Sequence, residues 1–282
     1  CDDRKFAVLV LLMALSSPDF FISVSSANAS GIISCLLLMA WALRDDYPVV
    51  VGVLLGIAMT KPQQAALICL VFLLQKRFKP LIVGALLDIA AWLWVSLHTG
   101  TGMFELLAEF LKSANTFVYV NQGLLYYGIF TSFIADPSTA LMLSMSAGII
   151  FVVLFWNFYG RQKNAPEVFD LCWAYMASTF WSHSTMNCYV LALPSIVCLY
   201  IMRRSEKLKS RIFWFLCCCY MNFSEVFRSR KVFKVITGHM PTADVRHIIL
   251  TVYYAGLIAL SIMLYFTLTR DSQKKTLPAE LA

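Results

Sequence analysis

Charged side chains are scarce in this chain. They make up 14% of its 282 residues, against about 25% in soluble domains. That shortage excludes an ordinary cytosolic enzyme and a disordered chain, both of which depend on abundant polar surface. Familiar soluble-enzyme motifs are also missing. There is no P-loop, no GxGxxG after a strand, no HExxH and no CxxC pair, so phosphate-cradling loops, dinucleotide folds and zinc sites have no support in the sequence.

What is present is apolar. Hydrophobic residues make up 60% of the chain and aromatics 14%, and the mean hydropathy is +0.71. These values describe an integral membrane protein. The nine cysteines fit the same reading. Cys35, Cys69, Cys172, Cys188 and Cys198 lie in or beside apolar runs, and Cys217, Cys218 and Cys219 are consecutive within another. They read as small buried apolar residues, with lipidation of the triple cysteine as the alternative.

Apolar runs fall near 6–17, 30–43, 47–59, 64–75, 80–97, 139–159, 168–181, 187–202, 211–223 and 248–268. The expected fold is an all-α polytopic transmembrane bundle of about 8–10 spans, one integral membrane domain over 1–282 with no separate soluble domain. The separators alternate in kind. Some are basic, such as Arg44-Asp45-Asp46, 75–79, Arg161-Gln162-Lys163 and 203–211. Others carry Asn, His, Ser and Thr, as in 18–29, 98–123 and 182–187. With Arg4-Lys5 inside, 16 Lys and Arg fall inside and 7 outside, which obeys the positive-inside rule. The net charge of +7 therefore belongs to loops, and no nucleic-acid partner is expected. Segment 224–247 fits this topology badly. It holds Arg228, Arg230, Lys231, Lys234 and Arg246, five of the seven outer basic residues, and is either functional outside or assigned to the wrong side.

Two further segments are read as interfacial. Phe104, Leu107, Leu111 and Ala114 recur at helical spacing and predict a short amphipathic helix over 102–114. Residues 124–136 read as a re-entrant or interfacial helix packed on protein.

The alternating topology gathers Asn28, Lys61, Gln63, His98, Asn115, Asn121, Gln122, His183 and Asn187 at one side. Lys61 is the most informative of them. It interrupts the apolar stretch 47–75 and precedes Pro62, which removes a backbone donor and biases its predecessor away from helix. The stretch is therefore expected to be two elements meeting at Thr60-Lys61-Pro62-Gln63. A lysine there presents a compact charge to a phosphate, or snorkels from a loop. His183 and Asn187 are four apart, on one face of any helix starting there. Such a histidine carries protons or donates to phosphate, or is simply hydrogen-bonded at the interface, where Trp181 fits an aromatic belt. Asp88, inside the 80–97 run, reads as a contact within the bundle, and Asp170 as structural.

Several of these stretches, in order, resemble glycosyltransferase family 87. They are Asn28-Ala-Ser-Gly, an apolar span, Arg44-Asp-Asp, Val51-Gly-Val-Leu-Leu-Gly-Ile-Ala-Met-Thr-Lys61-Pro62-Gln63, and Phe72-Leu-Leu-Gln-Lys-Arg77. Downstream, Val120-Asn121-Gln122-Gly123-Leu124, Trp181-Ser182-His183 and Tyr189-Val-Leu-Ala-Leu-Pro194 continue the likeness, which covers about 6–200. The resemblance implies a GT-C membrane glycosyltransferase, a hexosyltransferase expected to use mannose. The donor would be a polyprenyl-phosphate sugar and the acceptor a lipid-linked or cell-envelope glycolipid glycan, in contact with membrane lipids. The enzyme would lie in the plasma membrane, multi-pass, with its active face outward (periplasmic or extracellular), in a bacterium. Transfer would be an inverting single displacement needing no metal and no cofactor. Lys61 and His183 would bind the donor phosphate, and Asn28, Gln63, Asn121, Gln122, Trp181 and Asn187 would line the substrate pocket.

One element departs from the family. Its catalytic aspartate lies in the first outer loop, and in this register the family's first spans precede Cys1. Asp19 sits at a later Ser-Pro element and is not assigned as the base. The chain is therefore expected to be the C-terminal portion of a longer protein, with its base upstream. Other readings stay open: a transporter, flippase or polymerase of lipid-linked glycans, or a non-catalytic membrane subunit.

Overall fold

The structure is a computed structural model. It describes residues 29–120, 136–157, 192–222 and 230–239, with scattered positions at 130, 134, 174, 177 and between 242 and 267. Among the described residues there are helices and no strand, as the apolar runs predict. The helices are α1 (Ser30–Ala42), α2 (Pro48–Ala58), α3 (Pro62–Leu74), α4 (Phe78–Thr99), α5 (Met103–Val120), α6 (Pro137–Phe155), α7 (Ala192–Arg204), α8 (Leu208–Asn222) and α9 (Arg230–Thr237). The described positions between 248 and 267 are helical as well.

Local chemistry sets the helix starts. Pro48, Pro62 and Pro137 each open a helix, where the missing N–H costs nothing and the fixed φ suits the first turn. Asp136 caps α6, its Oδ2 accepting from the Thr139 backbone N at 2.9 Å and from Thr139 Oγ1 at 2.5 Å. These bonds from Thr139 hold the Asp136 carboxyl below its usual value.

α1, α2 and α3 run antiparallel in sequence and enclose the main core, in which Leu37, Leu55, Leu67, Ile68 and Phe72 are fully or almost fully buried. Trp41 meets Phe72 edge to face, with ring centroids 5.8 Å apart. α2 and α4 make the closest helix pairing. A Cβ on Gly52 would lie 2.7 Å from the Pro80 carbonyl oxygen, and one on Gly56 would lie 3.1 Å from that of Gly84. Glycine is required at this crossing because the two backbones touch, a small-residue contact of the kind that holds helices together in lipid. The contacts rise together along both helices, so α2 and α4 are parallel.

Among the described residues, two helices are long and apolar enough to cross a membrane: α4 and Ser138–Phe155 within α6. α1 and α3 have 13 residues and α2 has 11, about 16–20 Å of helix against a hydrocarbon core of about 30 Å. The apolar runs here are thus helices, as expected, but not each a full crossing. The turns at 43–47 and 59–61 close them early. Since Gly84 packs level with Gly56, α4 continues roughly 15 Å past the α2–α3 turn.

α7 and α8 form a second close pair. Tyr220 donates from Oη to the Tyr253 carbonyl at 2.7 Å, tying α8 to the helical positions of 248–267, where Tyr253, Leu260 and Leu264 are buried at helical spacing. Of the described cysteines, Cys198, Cys217 and Cys218 are buried as expected, whereas Cys35 is exposed. α5 runs beyond the predicted 102–114 and exposes Phe104, Leu107 and Phe110. Trp92 of α4 meets Phe110 edge to face at 6.0 Å. Of 124–136, only 130, 134 and 136 are described.

Candidate functional site

The turns between α1, α2, α3 and α4 sort by chemistry onto two opposite ends. At one end Arg77 ties the α3–α4 turn to the α1–α2 turn. Its Nη2 lies 2.7 Å from Asp45 Oδ1, and its Nη1 donates to the Arg44 carbonyl at 3.0 Å. Its Nε donates to Gln75 Oε1 at 3.1 Å. Arg44 donates to the Trp41 carbonyl at 2.7 Å and lies over the Trp41 ring. The hydrogen bond from Arg77 draws the Asp45 carboxyl below its ordinary 3.8. Partial burial opposes this, and the charges of Arg77 and Arg44 add to it. That contribution to stability is present above pH 3.8 and is lost as pH falls through the lowered value. Arg77→Met is expected to cost about 1–2 kcal/mol, read as a fall of a few degrees in the thermal midpoint.

The other end holds Lys61. It is the N-cap of α3, with φ −123° and ψ 76°, a non-helical backbone in keeping with the bar on helix for a residue before proline. The predicted break is therefore real, and α2 and α3 are separate helices meeting at Lys61-Pro62. Lys61 Nζ donates to Ser30 Oγ at 2.9 Å across 31 residues of sequence. Ser30 is fully buried and is the first residue of α1. Neither α1 nor α3 has a side-chain cap at its N-terminus. Two helix N-termini, each a partial positive charge, thus converge on a lysine, an arrangement suited to an anion. Burial lowers the Lys61 pKa from its ordinary 10.5.

Gln64 lies one turn into α3. It is 0% exposed, and neither its amide nitrogen nor its amide oxygen has a hydrogen-bond partner among the described residues. A buried amide without partners costs stability unless a ligand or water satisfies it. Gln63, the predicted neighbour, is half-buried in the same turn.

The structure brings Lys61, Ser30, Gln63 and Gln64 to one end and leaves His98 apart. His98 is exposed near the end of α4, roughly 15 Å past the α2–α3 turn, with its Nδ1 3.3 Å from the Trp94 carbonyl. Asp88 is half-buried. The register of α4 on α2 sets it level with the end of α2, nearer the Lys61 end than its place in the 80–97 run suggests. Asn115 falls on α5. Asn28, Asn121, Gln122, Trp181, His183 and Asn187 lie outside the described residues. Ser30 and Gln64 escaped sequence reasoning, although Ser30 stands within the Asn-Ala-Ser-Gly stretch and Gln64 directly follows Gln63.

No curated protein and no solved structure matches the chain. The sequence profile of glycosyltransferase family 87 matches residues 3–222, which is more than half of its length and includes every residue of the Lys61 end. The chain belongs to glycosyltransferase family 87.

Proposed function

We propose that this membrane glycosyltransferase moves a hexose, mannose first among the sugars to test, from a polyprenyl-phosphate carrier to a lipid-linked or cell-envelope glycan. The reaction takes place on the outer face of a bacterial plasma membrane. The observation that carries this reading is the half-buried Lys61 cation, held to Ser30 where two helix N-termini meet. Such a site favours a phosphate, and its setting, recessed below the end of α4, suits a phosphate that arrives on a lipid.

In the proposed reaction the acceptor hydroxyl attacks the anomeric carbon while the carrier phosphate departs. A carboxylate base takes the hydroxyl proton; no residue of this chain is assigned that role. Lys61 stabilises the charge that grows on the leaving phosphate. By family likeness His183 is the second phosphate contact, and Asn28, Gln63, Asn121, Gln122, Trp181 and Asn187 line the pocket. The product has the anomeric configuration opposite to that of the donor.

Membranes containing the chain are to be offered radiolabelled sugar on polyprenyl phosphate or on a nucleotide. Labelled glycan product that separates from the unreacted donor by chromatography is expected from the polyprenyl donor alone. Equal use of the nucleotide sugar would overturn the donor assignment.

The lowered Lys61 pKa sets the sign of a pH effect. The cation is lost as pH rises through a value below 10.5, and affinity for the phosphate is lost with it. The alkaline limb of the rate profile is expected below that of an ordinary lysine. Lys61→Arg is expected to move the limb upward, since a guanidinium stays charged. An unmoved limb would separate it from Lys61.

A further inference from the structure

The basic segment that fits the topology badly contains α9, and the Lys61 site does not account for it. Between Glu225 and Asp244 there is no acidic residue, while Arg228, Arg230, Lys231 and Lys234 supply four positive charges. Within α9, Arg230 and Lys234 are one turn apart, and Val232, Val235 and Ile236 recur at spacings of three and four. The register therefore separates a basic arc from an apolar one. Val235 is 85% exposed and Ile236 77% exposed. α9 takes no part in the principal helix pairings among the described residues. Two β-branched apolar side chains left in water on a helix this short are costly without an apolar medium.

The helix ends cleanly, which makes it a defined element. Gly238 takes a left-handed φ of 79° and donates its backbone N–H to the Lys234 carbonyl at 2.8 Å. Thr237 Oγ1 donates to the Phe233 carbonyl at 2.8 Å. Lys234 also stands in the last turn, where a positive charge complements the helix dipole.

We infer that α9 is an interfacial helix that docks on an anionic lipid bilayer surface, Val235 and Ile236 entering the acyl boundary while Arg230, Lys231 and Lys234 meet lipid phosphates. The charge selects the occupant. Three cations without an acid on eight residues complement anionic headgroups and leave a zwitterionic surface bound only through the apolar arc. Most of the misfit of 224–247 to the positive-inside pattern follows, because three of its five basic residues, those of α9, are held by headgroups and do not report a loop side.

The test uses the full chain in lipid nanodiscs with the photocrosslinker p-benzoylphenylalanine replacing Ile236. Discs of phosphatidylcholine alone are compared with discs containing one-third phosphatidylglycerol, and adducts are read by mass spectrometry. Each Lys or Arg near an anionic surface is worth roughly a fivefold preference, so lipid adducts are expected to be at least fivefold more abundant in the anionic discs. That excess should vanish in the Arg230→Gln, Lys231→Gln, Lys234→Gln variant. Equal lipid adducts in the two discs, or adducts on protein instead of lipid, would overturn the assignment. The lipid comparison is made within one protein, so it stands even if the triple variant folds poorly.

Discussion

Lys61→Met is expected to lower glycosyl transfer by about 100- to 1000-fold, the loss seen when a preorganised group facing developing charge is removed. Methionine keeps the length and apolar stem of the side chain, so folding is little disturbed and the lost quantity is charge. Part of the loss should appear in donor affinity and most in turnover, because in the proposed reaction a leaving phosphate carries more negative charge in the transition state than in the bound donor. Lys61→Arg should recover only part of the rate. Its planar fork does not reproduce a compact ammonium held 2.9 Å from Ser30 Oγ. Ser30→Ala should act through Lys61 and cost about tenfold, near the worth of one hydrogen bond to a charged group. If Lys61→Met retained wild-type turnover with well-folded protein, Lys61 would be a snorkelling residue and the phosphate assignment would fall.

The largest effect on stability is expected at the α2–α4 crossing. A Cβ at Gly52 would approach the Pro80 backbone oxygen to 2.7 Å, and a backbone oxygen inside a helix pair cannot rotate away. Gly52→Ala is expected to cost about 1–3 kcal/mol by overpacking, and Gly52→Leu to prevent the pair from closing. These are large fractions of a total folding stability of about 5–15 kcal/mol. Gly102→Ala is the control. Nothing lies within 4 Å of its would-be Cβ, so its effect should stay within about 0.5 kcal/mol. Thermal unfolding in detergent, followed by loss of monodisperse protein, measures all three. Equal midpoints for Gly52→Ala and Gly102→Ala would show that α2 and α4 separate at little cost.

Much of the architecture was legible because it depends on composition and breaks. The break at Lys61-Pro62 is local stereochemistry, and the helix boundaries there agree with it. The sorting of Lys61 to one end and of Arg44, Asp45 and Arg77 to the other follows from helices that reverse direction at each turn. The lengths were less legible. An apolar run reads as a span whether it crosses the bilayer or stops short, and only the packed positions of α1, α2 and α3 beside α4 show that they stop short.

The sequence by itself determined an all-helical membrane chain, the places where its helices break, and the family likeness carried by Lys61-Pro62 and its neighbours. Each of these is written in residue type and order. Tertiary structure alone decided which faces of α1 and α3 meet. These helices are apolar all round, so no polar stripe marks the packed side, and Ser30, Ser34 and Gln64 give no sign in sequence that they turn inward. Tertiary structure also decided that Lys61 reaches Ser30 across 31 residues. That contact exists only because α2 brings the chain back one helix length, and the distance between residues remote in sequence is set by the packing of everything between them.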